Sequence, residues 1–403
     1  LPLTIHGEFY SPEDFGNQVD NVVAALKCSD RVCHITLRVD GASDLKRCLA
    51  AMQQPFPELT FLDLRSYGGT DKAAVVPDSF LGGFAPCLKS LELHGLPFPG
   101  LPKLLLSATH LTYLYLQNIP HSGYISPDVM VAALSTLTSL KHLALTFNSP
   151  DSCPDLETRR LPPSTRSALP VLTSFMFRGV SEYLEDLVTD IDALRLNKLW
   201  ICFFNDSVFD TPQLIRFISR TPMSSTLENA HISLKARTAC IIFQPQIRGH
   251  VIFVCEGLDW QLSSLEQFCT SCLPFLSTLK DLYILETKRS QTYWKDNIEN
   301  REWLELLHSF TAVKNLYLSK ELAPLIGPAL QELVEGRTTE LLPTLENIFL
   351  EGLESSGHVP KGIGQFVAAR QVFSSHPVTI SRWKNAEPDS DSESDSEPDS
   401  ESD

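Results

Sequence analysis

Cys269-Thr-Ser-Cys272 has the spacing of a redox dithiol or of half a zinc site, since two intervening residues let both thiols reach one partner. A second pair at zinc-finger distance is missing, and the motif ends an apparent amphipathic helix, Leu262 to Leu273, so both thiols read as structural. Gly362-Ile-Gly364 opens a helical stretch but lacks the third glycine and the βαβ setting of a nucleotide fingerprint. Asn205-Asp-Ser207 has the form of a glycosylation sequon, which has no consequence inside a cell. The chain carries no P-loop, no Gly-x-Ser-x-Gly elbow and no His-Glu-x-x-His, and its histidines and carboxylates are not clustered along the sequence. Nothing here calls for an enzyme, a cofactor or a metal. The remaining chemistry is recognition by large planar side chains, and that depends on how they are presented.

Presentation follows from a repeat. Leu59-x-x-Leu62-x-Leu64 recurs as Leu88/Leu91/Leu93, Leu111/Leu114/Leu116 and Leu140/Leu143/Leu145. Later copies keep the spacing and vary the residue: Leu172/Phe175/Phe177, Leu196/Leu199/Ile201, Leu279/Leu282/Ile284, Val313/Leu316/Leu318 and Leu345/Ile348/Leu350. Helical segments lie between them, such as Pro127 to Leu134, Ser181 to Ile191 and Pro212 to Ile218, with Ser126 and Thr211 placed as N-caps. A period of roughly 23 to 34 residues with this core predicts an α/β leucine-rich-repeat solenoid. Its curved parallel sheet lines the concave side, and its helices lie on the convex side.

In each unit the leucines point into the core, and the residues between them must point outward, because side chains alternate along a strand. Parallel stacking then brings the outward residues onto one concave surface. They include Phe61, Asp63 and Arg65; Tyr113 and Tyr115; Arg178; Trp200; Asp281 and Tyr283; Asn315 and Tyr317; and Asn347 and Phe349. The candidate protein-binding set is Phe61, Arg65, Tyr113, Tyr115, Arg178, Trp200, Tyr283, Tyr317 and Phe349, because Tyr, Trp and Arg dominate interface hot spots. Strand propensity and cross-strand stacking are the competing explanation for the aromatics. The ninth position of each unit, often Asn, is Asn148 once and otherwise mostly apolar, so an asparagine ladder along the turns is largely absent.

The expected organisation is a helix–strand cap over residues 1–58, a solenoid over 59–383 and a disordered acidic tail over 384–403. Spacing widens to 52 residues between Leu227 and Leu279, where two β-rich runs, Cys240 to Phe243 and Val251 to Val254, read as a β-hairpin insertion near 239–257 or an irregular double repeat. The net charge is −16, and nine carboxylates lie between Glu387 and Asp403, leaving about −7 for the rest. Such a balance argues against a nucleic-acid or anionic-membrane partner. With no apolar residue from Glu387 onward, the tail cannot bury surface. Ser390, Ser392, Ser394, Ser396 and Ser400 each have an acidic residue three positions later, as an acidophilic kinase prefers, which makes them phosphorylation candidates. Ten scattered cysteines suit a reducing compartment, and no apolar run approaches 18 residues, so a cytoplasmic or nuclear protein is expected.

Several longer strings go further. Phe80-Leu-Gly-Gly-Phe-Ala-Pro-Cys-Leu-Lys-Ser-Leu-Glu-Leu93, Leu101-Pro-Lys-Leu-Leu-Leu-Ser-Ala-Thr-His-Leu111 and Ile119-Pro-His-Ser-Gly-Tyr-Ile-Ser-Pro127 resemble a family of F-box proteins with leucine-rich repeats, expanded in mushroom-forming (basidiomycete) fungi. Gly179-Val-Ser-Glu-Tyr-Leu-Glu-Asp-Leu187, Leu258-Asp-Trp-Gln-Leu-Ser-Ser-Leu265, Phe366-Val-Ala-Ala-Arg370 and Ser381-Arg-Trp383 extend the resemblance to nearly the whole chain except the tail. What the resemblance implies is a substrate receptor: an N-terminal F-box docks a Skp-type adaptor on a cullin ubiquitin ligase, and the repeats hold a protein substrate. This chain shows no Leu-Pro-x-Glu F-box before its first repeat, so an adaptor is expected only if that module lies upstream of Leu1. A stand-alone interaction scaffold is the alternative.

Overall fold

The computed structural model describes residues 1–9, 15–67, 74–152, 166–204, 211–222, 228–235, 237–244, 248–254, 258–271, 276–286, 300–336, 341–353, 359–373 and 377–384. Its strands, in chain order, are β1 (Leu3–Phe9), β2 (Val32–Val39), β3 (Phe61–Ser66), β4 (Ser90–His94), β5 (Tyr113–Ile119), β6 (His142–Phe147), β7 (Ser167–Ala168), β8 (Ser174–Gly179), β9 (Ile191–Asp192), β10 (Lys198–Phe203), β11 (Asn229–Lys235), β12 (Thr238–Gln244), β13 (Arg248–Val254), β14 (Asp281–Glu286), β15 (Asn315–Leu318), β16 (Asn347–Glu351) and β17 (Thr379–Trp383). The helices are α1 (Phe15–Leu26), α2 (Ala42–Ala51), α3 (Leu101–Leu105), α4 (Pro127–Leu134), α5 (Ser181–Thr189), α6 (Pro212–Ser219), α7 (Leu258–Ser271), α8 (Asn300–His308), α9 (Ala323–Gly336) and α10 (Lys361–Phe373).

Fifteen strands form one sheet in the order β1-β2-β3-β4-β5-β6-β8-β10-β13-β12-β11-β14-β15-β16-β17. Parallel pairing in strict register stacks Leu62, Leu91, Leu114, Leu143, Phe175 and Leu199 in one inward row, and all of them are buried. Helices cover that face, with Leu45, Leu104, Leu134, Leu184 and Leu214 joining the same core. The chain is therefore an α/β leucine-rich-repeat solenoid, with helices on one face of a mostly parallel sheet and, among the described residues, no helix on the other.

Residues 1–58 are not a separate cap. β1 and β2 continue the parallel sheet into β3, burying Ile5, Ile35 and Leu37 in the common core. Val32-x-x-Ile35-x-Leu37 has the spacing of the repeat with β-branched residues at two of its three positions, so two further units precede Leu59.

The irregular segment is also built into the sheet. After β10 the chain skips two places and lays down β11, then turns back through an antiparallel β12 and returns as β13, parallel to β10. β11 in turn pairs parallel with β14. The expected hairpin near 239–257 thus fills the gap its own chain left, and inward Ala239, Ile241 and Phe243 keep the core continuous.

Smaller departures have local causes. Ser126 and Thr211 do precede helices that begin with Pro, but neither side chain makes a capping bond. The Glu185 carboxylate of α5 instead accepts from the Gln213 and Leu214 amides at 2.8 and 2.7 Å, capping α6 from the preceding unit. α5 stops at Thr189, because Ile191 and Asp192 form β9 and pair with β7. Gly362 sits where α10 meets α9, and a Cβ there would collide with the Gly327 carbonyl. That close approach accounts for the glycine that opens Gly362-Ile-Gly364.

Candidate functional site

The helix-free face carries three rows of outward side chains, set by the register. The middle row runs Thr36, Asp63, Glu92, Tyr115, Ala144, Met176, Trp200, His250, Ile242, His231, Tyr283, Tyr317, Phe349 and Ser381. Over β11 to β16 this row is a continuous ring stack. His231 lies on Tyr283 at 4.1 Å and 3°, Tyr283 on Tyr317 at 4.1 Å and 10°, and Tyr317 on Phe349 at 4.5 Å and 8°. These separations fall below the strand spacing of about 4.8 Å, as they must on the inner side of a bend. The face is concave.

Trp383, at the end of β17, leans back over this stack with ring centroids 5.5 Å from Tyr317 and 5.9 Å from Tyr283. Alongside runs a polar ladder in the first outward row. Asn315 Nδ2 donates to Asp281 Oδ1 at 2.6 Å, Asn347 Nδ2 to Asn315 Oδ1 at 2.8 Å, and Thr379 Oγ1 to Asn347 Oδ1 at 2.6 Å. Burial, followed by the neighbouring Tyr317 hydroxyl, raises the pKa of Tyr283. Burial lowers that of His231, which keeps the imidazole neutral in the stack. Stacked face to face, the rings present their edges outward beside a row of hydrogen-bonded amides.

The N-terminal part of the face is different. Arg65 Nε donates to both Asp63 oxygens at 2.9 and 3.0 Å, its Nη2 reaches Glu92 Oε2 at 3.3 Å, and Arg38 pairs with Glu8 at 3.1 Å. Asp63 is only 3% exposed, so Arg65 is committed to neutralising a buried carboxylate rather than held free for a ligand. Burial, reinforced by Asp63, raises the pKa of Glu92. Phe61 stacks on His34 at 4.1 Å, and Tyr113 stacks on His142 at 4.4 Å. Burial lowers the pKa of both histidines.

Between these zones lie Arg178 on β8 and Lys198 at the start of β10, with Lys141 one residue before β6 and outside the outward rows. Both lysines are exposed, and none of the three forms an ion pair among the described residues. Arg178 lies over the Phe204 ring at 5.3 Å, while its Nε is buried without an acceptor among the described residues. Trp200 stands in the middle row of the same zone. Lys198 and Lys141 add to burial in lowering the pKa of His142, a sign of local positive potential.

All nine expected binding residues therefore lie on one face, but in different roles. Tyr283, Tyr317 and Phe349 form the stack, Arg178 and Trp200 belong to the basic centre, Phe61 and Tyr113 stack on histidines, and Tyr115 sits between Glu92 and Ala144. Sequence reasoning missed His231 and Trp383 as members of the stack. It also missed the amide ladder, whose signal was the same residue type at the same register in successive units, Asn315 and Asn347. The five tail serines lie outside the described residues. Cys269 is buried in α7 with its thiol pKa pushed up by burial, and Cys272 lies outside the described residues. Among the described residues no three metal-capable side chains cluster, and no helix is long and apolar enough to cross a membrane.

No protein-family model matches the chain, and no curated protein matches it. Among solved structures, the leucine-rich repeat-containing protein LegL7 from Legionella pneumophila is similar at 13% identity, covering 93% of this chain and 99% of that one, with a TM-score of 0.30. TLR13, solved in a complex with ssRNA13, is similar at 12% identity, covering 94% of this chain and 42% of that one, with a TM-score of 0.33. Both likenesses are distant, and the fold assignment stands on the strand register and helix placement.

Proposed function

We propose that this chain is a protein-recognition module whose concave face holds a protein substrate, and that it serves as the recognition arm of an F-box/cullin-type ubiquitin ligase. The observation that supports recognition is the ring stack His231–Tyr283–Tyr317–Phe349 beside its amide ladder. Rings already ordered by their neighbours lose little entropy when a partner covers them, and amides beside them suit peptide groups. No catalytic step is assigned to the chain. The ligase role rests on the resemblance of the Phe80–Leu93 and Leu101–Leu111 strings to F-box repeat proteins, and a Skp-type adaptor is a partner only if an F-box lies N-terminal to Leu1. The alternative is a stand-alone scaffold in the cytoplasm or nucleus that uses the same face.

Two measurements separate these readings. The longest gene product should co-purify with a Skp-type adaptor and cullin; their absence favours the scaffold. In either case Tyr115→Ala together with Trp200→Ala, in folded protein, should weaken partner binding. Unchanged affinity for every partner would remove the concave face from the proposal.

A further inference from the structure

We propose that the helix-free face over β8 and β10 takes an extended acidic segment of the protein partner: two carboxylate side chains with one apolar side chain between them, in the pattern acidic-x-apolar-x-acidic. This names a substrate class for the recognition face and rests on that reading.

Charge singles out the place. The chain carries a net charge of −16, and the flanking zones reflect it, with outward Asp63 and Glu92 on one side and Asp281 and Glu351 on the other. The outward positions of β6, β8 and β10 hold no carboxylate. They hold Lys198 in the first row, Met176 and Trp200 in the middle row, and Arg178 in the third. Lys198 is exposed, Arg178 is half-buried, and neither has an ion pair among the described residues.

The side chains are set for a ligand of that kind. Arg178 is fixed against the Phe204 ring at 5.3 Å, and its enclosed Nε has no acceptor among the described residues. A guanidinium so held and lacking a counterion matches a planar carboxylate, which it binds through two parallel hydrogen bonds. Arg65, in the same row, is already closed by Asp63 and Glu92. Trp200 makes no ring contact among the described residues, unlike the tyrosines of the stack, and stands half-buried beside Met176, whose thioether adapts to an apolar side chain.

Spacing fixes the conformation of the segment. Lys198, Trp200 and Cys202, the last level with Arg178, follow one another at every second residue of β10. Each step is about 6.6 Å, so the two cations stand about 13 Å apart along the strand direction. An extended segment places every second side chain on one side at that same interval. Laid along β8 and β10, it sets its two acidic residues on Lys198 and Arg178 and its central residue on Met176 and Trp200. One unpaired cation at each end calls for the single charge of a carboxylate. The nearly double charge of a phosphate would leave negative charge in excess there, and Arg38 and Arg65 are committed to Glu8 and Asp63.

The test pans a random dodecapeptide phage library on the full chain, on Lys198→Glu and on Arg178→Gln, each checked for folding by circular dichroism. Lys198 is exposed, so its reversal leaves the core untouched. The natural chain should select acidic-x-apolar-x-acidic. Lys198→Glu should turn the preference at one end from acidic to basic and leave the other end acidic, and Arg178→Gln should erase the preference at that other end. A synthetic peptide of the natural consensus should bind Arg178→Gln at least about tenfold more weakly, as loss of a charge-assisted pair does, and should weaken as salt rises. The proposal is overturned by peptides without the acidic pattern, by the same pattern on all three proteins, by acidic residues at helical spacing, by tighter binding once phosphoserine replaces them, or by no selection at all. Peptides that lack the pattern yet lose binding with Tyr283→Ala/Tyr317→Ala would overturn this inference alone. Peptides indifferent to every one of these substitutions would count against the recognition reading as well.

Discussion

His231 is held between strands with its ring 4.1 Å from Tyr283, and burial lowers its pKa from the ordinary 6.5. His34 and His142, each stacked on an aromatic ring, are shifted the same way. In the window between the lowered folded value and 6.5 the unfolded chain binds more protons than the folded one, so stability rises with pH there and is lost on acidification. Melting temperature should therefore fall as pH drops from 7.5 through 6.5 toward 5.5. His231→Phe, which keeps a ring but cannot titrate, should flatten that slope. A slope identical to that of the natural protein would show that His231 is not held neutral. At this scale the sequence was only half legible. The alternation rule placed Tyr283, Tyr317 and Phe349 outward, but it could not show that they use one another's faces. Nor could it show that Arg65, outward by the same rule, is held by buried Asp63. Both depend on which strands become neighbours. Arg370 is a further case: 1% exposed in α10, it donates to the Leu341 and Leu342 carbonyls, a contact between segments that periodicity does not reveal.

Elements hold one another in sequence along the solenoid, and Glu185 shows how. Its carboxylate in α5 takes two amides at the start of α6, where Thr211 stands at the N-cap without bonding. Glu185→Ala should cost about 1–2 kcal/mol, the usual range for a lost helix cap. It should also speed amide exchange at Gln213 and Leu214 while leaving α4 unchanged. Exchange unaltered at those two amides would mean that Thr211 or solvent does the capping. Elements with leucine at all three motif positions, β3 to β6, were legible because the spacing fixes both strand and face. β2 was less so, because Val32 and Ile35 replace leucine and its strand read as part of a helix–strand cap. The meander was legible as β structure but not in its order. Alternation in Ala239, Ile241 and Phe243 is the same whichever direction the strand runs, and only neighbours decide it.

Across the whole molecule, the antiparallel β12 is the bridge between two parallel arrays, β1 to β13 and β11 to β17. In a solenoid each unit contacts mainly its neighbours, so damage spreads locally. Ile241 is fully buried in that bridge. Ile241→Ala should cost about 2–5 kcal/mol and raise amide exchange on both sides, in β13 and β11 alike, whereas Leu62→Ala should disturb only β2 to β4. The same division organises the concave face into a self-neutralised N-terminal zone, a basic centre and an aromatic–amide C-terminal strip. The central claim is that partners dock on that face and not on the helices. The direct measurement is the affinity of the protein partner recovered with the full chain, compared between Tyr283→Ala/Tyr317→Ala on the concave strip and Trp260→Ala on α7, where the indole is 56% exposed. The concave pair should weaken binding by at least about tenfold, as loss of hot-spot rings does, and Trp260→Ala should leave it within about twofold. Loss of binding with Trp260→Ala and none with the tyrosine pair would place the partner on the convex side and contradict the account.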